Sequence, residues 1–207
     1  MFDGIPSLQN ILMMVVAFFT ALTVHEYAHA RAALAQGDDT AKLAGRISLN
    51  PIDHLDPLGT VMFFMMMLTS GIGLAWGKPV PVNPYRFRSP RWGNLSVSAW
   101  GPLSNILFAA ALAVLLRFVV SPLTPGYREL VIWCILTNLG LAFFNMIPVP
   151  PLDGSKVLSS LLPYAQSRRY EYFMARYGML IFLGIIFTGV THYIIWPPIS
   201  FVFNLLV

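Results

Sequence analysis

The chain has 207 residues, of which 57% are hydrophobic and only 11% are charged, and its mean hydropathy is +0.67. Soluble domains have about 25% charged residues, so the composition excludes an ordinary soluble protein and indicates an integral membrane protein. The formal net charge of +4 comes without any basic run interleaved with aromatic residues. We therefore expect no nucleic-acid partner and assign the positive charge to membrane topology.

Apolar runs predict the membrane-spanning elements. Crossing about 30 Å of hydrocarbon takes about 20 mostly apolar residues, and such runs lie at about 8–30, 96–116, 130–147 and 173–191. A shorter run lies at 58–76, and the tail after Pro197-Pro198 is about half a span long. We predict an all-α polytopic membrane protein with four full transmembrane helices, a re-entrant or short membrane segment at 58–76 and a short C-terminal membrane helix. The whole of 1–207 is expected to form one domain.

The first apolar run contains the polar motif His25-Glu26-Tyr27-Ala28-His29. Two histidines four residues apart share one face of a helix, so both rings can reach a single metal ion, and the adjacent glutamate can serve as a base. Unpaired polar groups in hydrocarbon cost several kcal/mol, which weighs against a chance occurrence. The motif therefore predicts a metal-dependent hydrolase, with a first helix that is retained rather than cleaved as a signal peptide.

Two short segments follow this helix. Residues 40–50 mix β-branched, apolar and basic residues around Gly45, a composition that predicts a small interfacial β-hairpin. His54 lies between Asp53 and Asp56 in a polar linker, which predicts a solvated histidine rather than a second metal site.

Two topologies are open for the segment 58–76. If it crosses the bilayer once, His29 and the later Asp153 lie at opposite ends of the helix bundle. If it re-enters on the same side, Asp153 returns to the level of His29, and every Lys and Arg except Arg117 and Arg128 lies on one side. That asymmetry is the one the positive-inside rule predicts. We therefore predict a re-entrant segment, whose irregular backbone borders protein or a water-filled cavity.

A proline-rich break at 148–151 ends the third span and is followed by Asp153. The prolines stop the helix and place the Asp153 carboxylate near membrane depth. Because catalytic zinc takes three protein ligands, Asp153 is the predicted third ligand; the alternative is that it caps the next helix. Asn145, before the break, and Asn105, at the opening of the second span, are predicted to donate hydrogen bonds to the substrate backbone or the developing oxyanion. The alternative for both is an interhelical hydrogen bond.

Together, HEYAH, GPLSN and NMIPVPPLDG occur in an order that resembles the site-2 protease family of intramembrane zinc metalloproteases. The resemblance covers about residues 8–160 and implies one zinc ion per chain, held by His25, His29 and Asp153, with Glu26 as the catalytic base. It also implies an active site that opens toward the cytosol. Larger members carry a PDZ or CBS module, for which this sequence has no space, so it resembles the small form of the family.

The predicted function is a zinc-dependent endopeptidase that cleaves transmembrane protein substrates in or near their membrane helices, as in regulated intramembrane proteolysis. The expected location is the lipid bilayer of a bacterial inner membrane, and the sequence gives no indication of oligomeric state. One alternative is a zinc-binding membrane protein or transporter without protease activity, against which Glu26 argues because a binding site needs no adjacent base. A second is a zincin with a glutamate as third ligand, disfavoured because Glu129 and Glu171 lie at span ends.

Overall fold

The structure is a computed structural model, and it describes residues 7–70, 77–120 and 125–207. Within these ranges the regular elements are helices, joined by short 3-10 turns at Pro51–His54 and Pro84–Arg86 and a π turn at Leu116–Val120. The helices are α1 (Leu8–Ala35), α2 (Thr40–Leu43), α3 (Pro57–Ser70), α4 (Pro90–Leu115), α5 (Pro125–Asn145), α6 (Asp153–Leu161), α7 (Tyr164–Phe187) and α8 (Val190–Leu206).

Four helices are long and apolar enough to cross a membrane: Leu8–Ala35, Pro90–Phe118, Gly126–Asn145 and Tyr164–Phe187. This confirms the four predicted spans and an all-α integral membrane protein. The short C-terminal helix α8 starts earlier than predicted, directly after Gly189, whose left-handed φ of 69° separates it from α7. It continues through Pro197 and Pro198 and packs against α4 and α5.

The predicted β-hairpin at 40–50 is not supported, because the described residues contain no β-strand there. The Asp38 carboxylate accepts hydrogen bonds from the backbone N–H and the hydroxyl of Thr40, which favours a helical turn over an extended strand. That turn is α2, and two residues after its end Gly45 adopts a left-handed φ of 67°, which turns the chain away from the helix. Composition alone did not reveal this local capping.

Asp38 also binds the chain that follows the segment 58–76. Its second carboxylate oxygen accepts the N–H of Asn83 at 2.6 Å, and the side chain is fully buried. Burial raises the pKa of Asp38, but the hydrogen bonds from Thr40 and Asn83 outweigh this effect and leave the pKa below its usual value. An ionised Asp38 therefore ties the end of α1 to the segment that precedes α4.

Leu55 and Gly77, 22 residues apart in the sequence, lie next to each other. Leu55 and Gly77 form an antiparallel bridge, and the N–H of Lys78 donates to the carbonyl of His54 at 2.9 Å. Helix α3 has 14 residues, about 21 Å at 1.5 Å per residue, so it is shorter than a membrane span. Residues 71–76 of the predicted segment 58–76 lie outside the described residues.

His54 is not solvated, contrary to the prediction. Its side chain is fully buried, and Nε2 donates to the carbonyl of Ser48 at 2.8 Å. His54 ends the 3-10 turn and directly precedes the bridge between Leu55 and Gly77, a long-range arrangement that local sequence polarity could not indicate.

The helices that surround the predicted site pack closely because small residues line their contacts. Ala17 and Ala21 of α1, Ala109 of α4 and Ala142 of α5 are fully buried. Side chains this small let helix axes approach one another within a membrane. The result is a core of α1, α4 and α5, with α6 packed beside α4.

Candidate metal centre

Helix α1 contributes the two histidines. His25 and His29 lie one turn apart, are 3% and 8% exposed, and have ring centroids 4.6 Å apart in an edge-on arrangement. Their Nε2 atoms both point toward the carboxylate of Asp153, with Nε2 to Oδ2 distances of 3.1 Å each. The structure therefore brings together the three side chains predicted as metal ligands, from segments 128 residues apart.

Asp153 is the first residue of α6, and its side chain is 12% exposed. The alternative role, capping α6, does not match the geometry. Leu152 occupies the N-cap position, no side chain caps the helix, and the Asp153 carboxylate is directed at the histidines instead. Val149 within the proline-rich break and Leu152 just after it are buried, and they anchor this turn against α5 and α7.

Helix α4 closes the site from the other side at Gly101. A Cβ atom built there would lie 2.5 Å from Nε2 of His29 and 2.8 Å from Cε1 of His25. Such distances are well inside van der Waals contact, so any side chain at this position would displace the rings. The glycine is thus required by the close approach of α4 to the two histidines.

The hydrogen bonds of the histidines determine which ring nitrogen is free. Nδ1 of His29 lies 2.8 Å from the carbonyl oxygen of Val97, which can only accept, so this nitrogen carries the proton. Nδ1 of His25 lies 2.7 Å from Oδ1 of Asn105, whose amide nitrogen donates to Ala21 and to Asn138. Asn105 therefore presents its oxygen to His25, and Nδ1 donates there too.

Both Nε2 atoms consequently present lone pairs toward the carboxylate oxygen of Asp153. The three ligand atoms lie within 4.8 Å of one another. Three converging acceptors in a nearly dry site suit a cation, and two imidazole nitrogens with one carboxylate form a donor set typical of zinc. The residues present therefore fit a zinc ion.

Glu26 lies beside this cluster and is half-buried. Its Oε2 accepts the backbone N–H of Val80 at 2.9 Å, so the extended segment after Gly77 fixes one carboxylate oxygen. Val80 itself is buried against Ala30 and Ala41. The backbone N–H of Val80, 54 residues after Glu26, thus orients the predicted base.

The two asparagines have different environments. Asn105 is fully buried, and both of its N–H groups are used within the protein. This geometry does not support the substrate-positioning role expected of it, and it favours a role in orienting His25. The amide nitrogen of Asn145 donates to the carbonyl of Leu141 at 3.0 Å, and its predicted bond to substrate stays a prediction.

Sequence reasoning missed Asn138, Val97 and Val80. Asn138 is fully buried on α5 and bonds to Asn105; a lone polar residue inside an apolar run was a usable signal for it. Val97 and Val80 contribute only a backbone carbonyl and a backbone N–H. No side-chain pattern could have identified those two groups.

Comparison with known proteins identifies the family. The profile of peptidase family M50 matches residues 121–186, which include Asp153. A Bacillus subtilis protein named "Putative zinc metalloprotease YwhC" is 36% identical over 90% of this chain and 85% of its own length. A Mycobacterium tuberculosis protein named "Putative zinc metalloprotease Rip2" is 28% identical over 87% of this chain and 68% of its own length.

No solved structure matches the chain. The extent and identity of the match to the Bacillus protein, together with the converging zinc-type ligands, are sufficient to assign the family. The chain belongs to peptidase family M50, the site-2 protease family, and is a zinc metalloprotease.

Proposed function

We propose that this metalloprotease cleaves peptide bonds in or near the transmembrane helices of membrane-protein substrates, in regulated intramembrane proteolysis. The observation that carries the proposal is the position of the ligands: His25 and His29 lie in the second half of α1, a helix apolar and long enough to span the bilayer. A site at that depth is accessible to substrates that are themselves in the membrane.

In the proposed mechanism, Glu26 transfers the proton and Val80 positions Glu26. Zinc bound by such a ligand set supplies Lewis acidity for a carbonyl oxygen and for water. Glu26 accepts the proton that water loses as its oxygen attacks the peptide carbonyl carbon. It then passes that proton to the nitrogen of the leaving amine as the C–N bond breaks. The N–H of Val80 holds Oε2 of Glu26 during both transfers.

The proposed topology has a re-entrant segment at 58–76 and an active site that opens toward the cytosol of a bacterial inner membrane. The bridge between Leu55 and Gly77 supports it, because it brings the two ends of the segment together. The charge distribution also supports it, because this topology places every Lys and Arg except Arg117 and Arg128 on one side, as the positive-inside rule expects. The single domain over 1–207 belongs to the same proposal.

A substrate helix must unwind locally before cleavage, because the carbonyl groups of an intact helix are already hydrogen-bonded within it. We therefore expect helix-weakening residues near the cleavage point of the substrates. Partners are a transmembrane protein substrate and the lipid bilayer, with no nucleic acid.

The test is Glu26→Gln in the full chain, assayed with a model transmembrane substrate in proteoliposomes. Because general acid–base catalysis contributes about 10²- to 10⁴-fold, cleavage should fall by at least about 100-fold while the bound zinc, measured by elemental analysis, stays at one per chain. Glu129→Gln, at an exposed position on α5, is the matched control and should cleave normally. Undiminished cleavage by the Glu26→Gln protein would overturn the mechanism.

A further inference from the structure

A groove of about 610 Å³ lies between the start of α4, the proline-rich turn, α6 and α7. Its polar lining includes Asn94 and Lys156, and its lining further along α7 is apolar, with Met174, Ala175 and Met179. The change from polar to apolar lining along α7 matches the passage from the membrane interface toward the hydrocarbon.

The groove borders the two segments that carry the catalytic groups. Pro84 on one wall lies four residues after Val80, which holds Glu26, and Pro151 on the other lies two residues before Asp153. Lys156 follows Asp153 by three residues on α6, so their side chains emerge on neighbouring faces of the helix. A chain lying in this groove would therefore pass the segments that carry Val80 and Asp153.

Two polar groups in the groove have no partner among the residues that the structure describes. Within the part of the chain that the structure describes, the Lys156 ammonium forms no ion pair, and the side-chain amide of Asn94 forms no hydrogen bond. Lys156 is exposed, whereas the acidic Glu171 of the groove already interacts with Ser159 and Arg168. The groove therefore offers an unpaired positive charge together with an unused amide.

We propose that this groove binds the unwound, interfacial flank of the substrate polypeptide, and that Lys156 selects an acidic residue close to the scissile bond. This inference rests on the proposed function. The amide of Asn94 has both a donor and an acceptor, which suits a peptide backbone better than a lipid phosphate, a group that only accepts. Lys156 lies about 4.5 Å along α6 from Asp153, at 1.5 Å per residue, and its long side chain extends further from the helix. Because an extended residue advances about 3.3 Å, the acidic residue is expected within about four residues of the cut.

The experiment compares model substrates that carry Asp, Ala or Lys at each of the four positions on the interfacial side of the cut. An exposed charge pair changes an equilibrium by up to about fivefold, so the unmodified enzyme should prefer Asp over Lys by about two- to fivefold in kcat/KM at one position. Lys156→Glu should reverse that preference, and Lys156→Ala should abolish it. Lys42→Glu, exposed on α2, is the matched control and should keep the preference for Asp.

The outcomes separate this inference from the proposed function. If the enzyme cleaves all substrates equally and Lys156→Glu changes nothing, while zinc content and dependence on Glu26 remain, the groove proposal is overturned and the protease survives. A Lys156→Glu effect that depends on phosphatidylglycerol in the vesicle but not on substrate charge would assign the groove to a lipid instead. If no transmembrane substrate is cleaved at all, both proposals fail.

Discussion

At the metal centre, the Nδ1 atom of each histidine forms a hydrogen bond within the protein, and its Nε2 atom is available as a metal ligand. The side-chain amide of Asn105 orients His25, whereas a backbone carbonyl at Val97 orients His29. Such outer hydrogen bonds fix the tautomer and the ring orientation, and they raise the basicity of the ligand nitrogen. A side-chain substitution can therefore remove the partner of His25 but not the backbone partner of His29.

Replacing Asn105 by Ala tests this division of roles. Without the Oδ1 acceptor, Nδ1 of His25 loses its partner, and zinc affinity should fall by about 10- to 100-fold. The affinity is measured by competition with a chelator, on protein whose unfolding temperature shows that it is folded. Asn204→Ala, at an exposed position on α8, is the control and should bind zinc normally. An unchanged zinc affinity for folded Asn105→Ala would show that Asn105 does not support His25.

At the scale of single elements, the sequence predicted those features that depend on side-chain type. The four spans follow from apolar runs, and the ligand set follows from His25, His29 and Asp153 being ionisable groups in apolar surroundings. The segment 40–50 was mispredicted because a buried carboxylate, Asp38, determines its conformation through hydrogen bonds to Thr40 and Asn83. Hydrogen bonds to a single carboxylate, whether from Thr40 nearby or from the distant Asn83, leave no periodicity in the sequence.

The extended segment after Gly77 is the element that orients the base, and Val80→Pro tests it. The substitution removes the N–H that donates to Glu26, at a site already between Pro79 and Pro81, where extended backbone is favoured. A hydrogen bond to a charged group contributes about 1.5–3 kcal/mol, so kcat should fall by about 10- to 100-fold with zinc content unchanged.

Val80→Ala is the matched control, because it keeps the N–H and removes only the buried side chain. Its kcat should stay within a few-fold of the unmodified enzyme. Equal losses in Val80→Ala and Val80→Pro would show that packing against Ala30 and Ala41, rather than the hydrogen bond, supports the base.

At the scale of the whole molecule, the site exists only because distant segments return to one depth in the membrane. The histidines lie on α1, Asp153 lies at the start of α6, and two further membrane-capable helices, α4 and α5, intervene. An even number of crossings between the ligands is needed to bring them together. That requirement was available from the sequence, and it is the reason for our proposal that the segment 58–76 is re-entrant rather than a fifth crossing.

Cysteine labelling tests this topology, using a membrane-impermeant maleimide on sealed, oriented vesicles. The native Cys134 is buried and is replaced by Ser, and single cysteines are placed at the exposed positions Leu43, Tyr85, Tyr127 and Tyr164. Because a re-entrant segment returns the chain to its starting side, Leu43, Tyr85 and Tyr164 should label together from one face, and Tyr127 from the other. If Leu43 labels together with Tyr127 instead, and from the face opposite to Tyr85 and Tyr164, the segment crosses the bilayer. Retained zinc in each variant shows that the ligands still converge, so the labelling reports the native arrangement.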